Sequence, residues 1–183
     1  MGEQTERSFV MIKPDGVKRG LTDEVVKRLT DAGLIVVFMA EPLIADSAVV
    51  TKHYPIDEDY LLTFGHRDPS GWSEEEKRQV ITKNHAIVLA MHEFIMSGPV
   101  VPMIIEGPVG TVAKVREIVG KTNPADAAPG TIRGDFGEDS FAATDAYLAE
   151  TGKSRPVYNI VHASGSPEEA EAEIANWLPE HVR

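Results

Sequence analysis

Four short apolar runs, separated by segments whose apolar residues recur every three or four positions, constrain this chain more than any other feature. Ser8 to Ile12 is halted by Lys13-Pro14-Asp15-Gly16 and reads as a first strand entering a turn. Leu21, Val25, Val26 and Leu29 then recur at helical spacing until Gly33 stops the pattern. Leu34 to Met39 is a continuous apolar run rich in β-branched residues, the pattern of a buried strand. A short helix is expected from Asp46, a capping residue, towards Tyr54. Between Pro55 and Ser73 no period survives. From Ser73 the pattern is helical again, with Glu74 to Glu76 at the positive end of the dipole and Ile87, Met91, Phe94 and Ile95 as an apolar face, up to Gly98-Pro99. Val100 to Ile105 predicts the third strand and Val109 to Val119 a helix closed by Gly120. One short helix around Phe141 to Leu148 and a fourth strand over Val157 to Val161 follow. Ser166-Pro167-Glu168-Glu169 then opens a last helix to about Trp177.

Stripped of its extra helices, this order is βαββαβ. It predicts a ferredoxin-like α/β (α+β) fold, an antiparallel four-stranded sheet with helices on one face. With 183 residues and no repeat or low-complexity linker, residues 1–183 read as one domain. Such a fold hosts many functions, so the loops must decide.

Charge and composition remove whole classes. Acidic residues outnumber Lys and Arg by 29 to 18, a formal net charge of −11, which argues against a protein that coats a nucleic-acid backbone. The absence of cysteine excludes disulfides, thiolate nucleophiles and Cys-based zinc sites. Met1 to Arg7 lacks the apolar run of a signal peptide, and Leu34 to Ala40 is far too short to span a bilayer. The expectation is a soluble, cytoplasmic protein with no membrane or nucleic-acid partner.

Three polar segments each follow a hydrophobic element. Lys13 at the end of the first strand can act as a point charge for phosphate, or stand solvated beside a Pro-Asp-Gly turn in which Asp15 is a turn former. Gly120 to Phe136 carries Lys121, Thr122, Asn123, Arg133 and Asp135, with Arg116 one helical turn before it. Arginine forks match phosphate oxygens, and the competing reading is a structural loop in which Asp135 pairs with Arg133. The third segment is Asn159 to Ser166, where strand alternation puts Ile160 and His162 on one side and leaves His162 next to Ser164. His162 is then available as nucleophile or base, or is simply packed. His53, His66, His85, His92 and His181 lack metal-ligand spacing and read as surface or partly buried residues, with His85 and His92 on one helix face. Met91, Phe94 and Trp177 read as core.

Taken together, RSFVMIKPDGVKRGL, SGPVVPMIIEG, GKTNPADAAPGTIRGDF and NIVHASGSPEEAEAEI resemble the nucleoside diphosphate kinase family across roughly two-thirds of the chain. The resemblance implies ping-pong transfer of the terminal phosphoryl group from a nucleoside triphosphate to a nucleoside diphosphate, with Mg²⁺ bound to the nucleotide phosphates and no metal ligands on the protein. It implies that His162 is the nucleophile that becomes phosphohistidine and that Glu173 orients it. Ser164 would assist, and Lys13, Tyr54, Arg116, Thr122, Arg133 and Asn159 would hold phosphates and ribose. It also implies a homo-oligomer, a hexamer ahead of a tetramer. The chain departs from the family pattern by insertions between Tyr54 and Ser97 and between Gly137 and Pro156. The base-stacking residue is therefore left open among Tyr60, Phe64 and Phe94, with core packing expected for Phe94. A catalytically weak nucleotide-binding or regulatory module is the competing function.

Overall fold

The computed structural model describes residues 4–65 and 68–182; His66 lies outside them. β1 (Thr5–Ile12) leads into α1 (Pro14–Lys18) and α2 (Thr22–Asp31), then β2 (Ile35–Met39). α3 (Ser47–His53), α4 (Glu58–Thr63) and α5 (Glu74–Met96) precede β3 (Val101–Pro108). α6 (Thr111–Val119), a 3₁₀ turn (Pro124–Asp126), α7 (Ile132–Phe136) and α8 (Phe141–Thr151) lead to β4 (Val161–Ala163) and α9 (Pro167–Trp177). The sheet order is β2-β3-β1-β4 with every ladder antiparallel, which is the ferredoxin-like arrangement.

Helices cover both faces of this sheet. Val10 and Ile12 pack with Val25 and Leu29 of α2 and Val115 and Val119 of α6. Phe9 and Met11, alternating with them along β1, pack instead with Val50 of α3, Val88 and Ile95 of α5, and Ile174 and Trp177 of α9. A one-faced layer was the expectation. Helices α3 to α5 and the terminal α9 close the second face, which is why β1 reads as an unbroken apolar run rather than an alternating one.

Several local expectations change. Pro14-Asp15-Gly16 is the first turn of a helix, with proline at its start, where a missing N–H costs nothing. A Cβ on Gly16 would lie 2.8 Å from both the Ile12 Cγ2 and the Ile160 carbonyl oxygen, so only glycine lets α1 pass so close to β1 and the chain before β4. β2 is an edge strand, not a buried one, and exposes Ile35, Val37 and Met39. On α5 the capping box of Ser73 and Glu76 forms as read, but the buried face is Asn84, Val88, His92 and Ile95. Two polar side chains define that face because each meets a carbonyl at the end of a neighbouring helix: Asn84 Nδ2 donates to Leu61 O at 2.7 Å, and His92 Nε2 lies 2.7 Å from Tyr54 O. Phe94 packs on Tyr158, ring centroids 4.6 Å apart.

The fourth strand is Val161–Ala163 rather than Val157 to Val161. Its start is set by Ile160, whose φ of +73° is left-handed and breaks the extended backbone. A β-branched residue rarely adopts this conformation, which costs on the order of 1–3 kcal/mol. It is held there by three restraints. Asp15 Oδ2 accepts from Ile160 N at 2.9 Å, Ile160 O accepts from Lys13 N at 2.7 Å, and the side chain is fully buried. The twist reverses the expected alternation. Ile160 joins the cluster of Val10 and Ile12, whereas His162 pairs with Met11 and faces the other side.

Candidate active site

β1, β4, α3, α9 and the loop after α6 converge on an open cleft of about 1450 Å³. Lys13, Tyr54, Arg116, Thr122, Arg133, Asn159 and His162 all border it. Eight of the nine residues singled out for chemistry thus fall in one place once Glu173 is added beneath His162, and Ser164 completes the set behind Glu173.

The histidine is built from below. His162 Nε2 lies 2.7 Å from Glu173 Oε1, and Ser164 Oγ donates to Glu173 Oε2 at 2.6 Å. Ser164 is itself pinned to β1, its Oγ accepting from Phe9 N at 3.1 Å. The carboxylate therefore accepts a proton on each oxygen, which puts the His162 proton on Nε2 and the lone pair on Nδ1. Burial, with the Lys13 charge beside it, lowers the His162 pKa to about 3, so the ring is a neutral imidazole. Burial raises Glu173, while His53 and Ser164 act against that rise.

The cations are held as firmly. Lys13 is buried, and its Nζ donates to Asn159 Oδ1 at 2.8 Å, while Asn159 Nδ2 donates to Thr122 O at 2.8 Å. Burial and the neighbouring Arg133 lower the Lys13 pKa to about 7, against a smaller upward pull from Asp15. Arg133 does not pair with Asp135. Its Nε, Nη1 and Nη2 donate to the carbonyls of Asn159, Gly120 and Val161 at 3.3, 2.9 and 2.7 Å, while Asp135 pairs with Arg28 at 2.8 Å. Burial and Arg116 bring the Arg133 pKa down to about 10, which leaves it charged at neutral pH. Among the described residues no carboxylate pairs with this guanidinium, and its charge is left for an anionic ligand. Tyr54 is buried, and burial raises its phenol well above the usual range, so it stays a neutral hydroxyl.

Tyr60 and Phe64 line the same cleft and their rings lie 5.8 Å apart, whereas Phe94 packs elsewhere. Sequence reasoning passed over two groups at the site. Asp15 is not a turn former but the acceptor that holds Ile160. His53 is buried against His162 rather than scattered; its one signal was its place directly before Tyr54.

Among the described residues, one group of metal-type ligands stands close together: His53, His162 and Glu173, with atoms within 4.8 Å. Trp177 Nε1 donates to His53 Nδ1 at 3.1 Å, so the nitrogen nearest the carboxylate is already filled by a proton donor. That is a poor cation site. The cleft offers basic groups suited to phosphate oxygens, and a divalent ion fits it as an ion carried on those phosphates.

Residues 6–63 and 76–182 match the family model described as nucleoside diphosphate kinase, which passes over part of the first insertion. A nucleoside diphosphate kinase of Archaeoglobus fulgidus is 41% identical, over 93% of this chain and 84% of its own. One from Pyrobaculum aerophilum is 36% identical over 96% of both chains. The crystal structure of an NDP kinase from Pyrobaculum aerophilum superposes with a TM-score of 0.79 at 35% identity, over 98% of this chain and 100% of the other. A transition state mimic of nucleoside-diphosphate kinase from Borrelia burgdorferi, with bound vanadate and ADP, gives 0.73 at 34% identity, over 95% and 87%.

Proposed function

The chain belongs to the nucleoside diphosphate kinase family and transfers a terminal phosphoryl group from a nucleoside triphosphate to a nucleoside diphosphate; on that premise we propose that His162 is the group that carries the phosphoryl between them. The observation behind this reading is the bond from His162 Nε2 to Glu173 Oε1, which leaves Nδ1 as the ring's free nitrogen, without a hydrogen bond among the described residues, on a side chain that lines the cleft. In the first half-reaction the Nδ1 lone pair attacks the γ-phosphorus. An N–P bond forms, the bond to the bridging oxygen breaks, and the electron pair leaves with the nucleoside diphosphate. In the second, a terminal phosphate oxygen of the acceptor attacks the same phosphorus and the N–P bond breaks. No net proton is needed.

Each supporting residue has a physical task in this scheme. The ring gains positive character as the N–P bond forms, and the Glu173 carboxylate stabilises it through the Nε2 proton. The phosphoryl transition state is loose, so charge placement and alignment carry most of the acceleration. Lys13, Arg116 and Arg133 supply the positive charge. Asn159 keeps Lys13 next to the loop that carries Thr122, and Tyr54 offers its hydroxyl to the cleft. Mg²⁺ would be held by the nucleotide's own phosphates and, when bound, neutralises their charge. Tyr60 and Phe64 supply the apolar wall for a base held by stacking, which suits broad base acceptance.

In this reading residues 1–183 act as one unit, a view supported by two core clusters sharing one sheet. The unit is a homo-oligomer, a hexamer ahead of a tetramer, residing in the cytoplasm. The edge strand β2, with Ile35, Val37 and Met39 exposed at 59%, 41% and 46%, supports an interface, since such edges invite pairing with another chain. Among the described residues no helix is long and apolar enough to cross a membrane. Only monomer at working concentration would remove the oligomer from this proposal.

The deciding experiment is intact-mass analysis after mixing the protein with ATP and Mg²⁺ without acceptor, alongside His162→Ala. The expected result is one acid-labile phosphoryl group, absent in the variant and discharged by GDP. Nucleotide binding without a phosphoenzyme would overturn the role of His162 and favour a binding module.

A further inference from the structure

The site contains a second imidazole for which the transfer just described has no task. His53 ends α3 with its side chain wholly buried, and its ring meets that of His162 edge to face, centroids 4.5 Å apart at 76°. Its Nδ1 has two neighbours, Trp177 Nε1 at 3.1 Å and Glu173 Oε1 at 3.4 Å. An indole N–H can only donate, so Nδ1 is an acceptor and the ring proton sits on Nε2. Burial, and then the neighbouring His162, bring the His53 pKa down to about 3, so the ring carries one proton and no charge. The approach to Glu173 is therefore not an ion pair.

This tautomer leaves His53 Nε2 buried with no hydrogen-bond partner among the described residues. Buried N–H groups are almost always satisfied, and one that is not calls for a reason. The other tautomer would put a proton on the nitrogen 3.4 Å from Glu173 Oε1, the oxygen that His162 Nε2 occupies at 2.7 Å. A turn of the ring would then let His53 compete with His162 for that oxygen. The Trp177 indole prevents that exchange by holding Nδ1 as an acceptor.

We propose that His53 is a positioning residue for phosphoryl transfer, fixed by Trp177 in the Nε2-protonated tautomer so that Glu173 Oε1 is reserved for His162. The proposal rests on the reading of His162 as nucleophile. His53 touches no phosphate in this scheme; it acts through Glu173. The Trp177–His53 pair thus sets how much of one carboxylate's charge reaches the reacting ring.

The test uses the ¹⁵N-labelled full chain. Long-range ¹⁵N–¹H correlation in the wild type should show His53 Nε2 protonated and Nδ1 bare. In Trp177→Phe, checked for folding by thermal unfolding, the His53 proton should move to Nδ1. Single-turnover phosphoenzyme formation with ATP and Mg²⁺ should then slow roughly tenfold, with nucleotide affinity little changed. Adding His53→Phe to that variant should restore most of the rate, because a phenyl ring has no proton to offer Glu173. A wild-type His53 protonated on Nδ1 overturns the proposal even if the variant fails to fold. So does a Trp177→Phe enzyme of unchanged rate, or a double variant no faster than the single. A wild type that forms no phosphoenzyme on His162 overturns the underlying reading instead, and the tautomer measurement keeps the two failures apart.

Discussion

Glu173 receives His162 and Ser164 on separate oxygens, at 2.7 and 2.6 Å, and so fixes the ring of one through a carboxylate braced by the other. The hydroxyl is tied to the backbone of Phe9 in a central strand, which makes the brace part of the sheet rather than of a loop. An imidazole supported in this way, acting as the proposed nucleophile, needs no reorganisation when charge develops on it.

Glu173→Gln keeps the shape and removes the charge. The amide oxygen can still accept from one partner, while its N–H₂ must face the other. Phosphoenzyme formation should fall on the order of 100-fold with nucleotide affinity nearly unchanged. Rapid-quench measurement at saturating ATP checks this, and a loss confined to affinity would count against the orienting role.

Gly16→Ala tests the strained turn without touching the cleft. The added methyl would meet both Ile12 and the carbonyl of Ile160 at 2.8 Å, so α1 or the chain before β4 has to give way. The cost should be about 1–3 kcal/mol of stability, as for other overpacked sites. Because Ile160 stands between Asn159 and His162, the displacement should also lower the transfer rate more than it lowers binding. Chemical denaturation and steady-state kinetics on the same sample give both numbers.

Lys13 should take up a proton when nucleotide binds. Its pKa of about 7 reflects burial and Arg133, and a polyphosphate placed beside it acts in the opposite direction. At pH 8 the free lysine is then mostly neutral and the bound one charged. Calorimetric titration in buffers of different ionisation enthalpy should show uptake approaching one proton per site, lost in Lys13→Met. Affinity should weaken by up to about tenfold per pH unit above 7. Binding enthalpies that do not depend on the buffer would defeat this.

What the sequence disclosed, and what it hid, divides along physical lines. β1, the crossover helices and the last helix carry their own periodicity and caps, and their order suffices for the fold. The gathering of Lys13, Arg133, Asn159 and His162 was legible only through the family resemblance of the segments that carry them, since Arg133 lies in the five-residue α7, too short to display a period. Helix α4 was not legible: six residues, capped by Asp57, cannot display a period, and the helix is held by docking on α5. The left-handed Ile160 has no local signal either, since its conformation is imposed by Asp15 and Lys13, 145 residues away and more. Exposure of β2 follows from its place at the end of the strand order, which composition cannot reveal. His53 was missed for a related reason. Its neighbours Glu173 and Trp177 arrive from the far end of the chain.

Two buried histidines make the fold sensitive to acid. The pKa values of His53 and His162 are each brought to about 3, from 6.5 when unfolded, by burial first of all. Between those limits the unfolded chain binds protons that the folded one refuses, so stability falls as pH drops through 6.5 and levels off near 3. Each group contributes roughly 1.4 kcal/mol per pH unit inside that window. Glu173 works against them, because its raised pKa lets the folded state accept a proton first. The slope of stability against pH should therefore lie between one and two protons where the histidines dominate. Other carboxylates titrate in the same range, and a comparison removes them: His53→Phe should lose about one proton of that slope between pH 6 and 4.5. Denaturant melts of both proteins across this range give the difference directly. Equal slopes would mean that His53 is charged in the folded state, and the neutral ring required beside Glu173 would be lost with it.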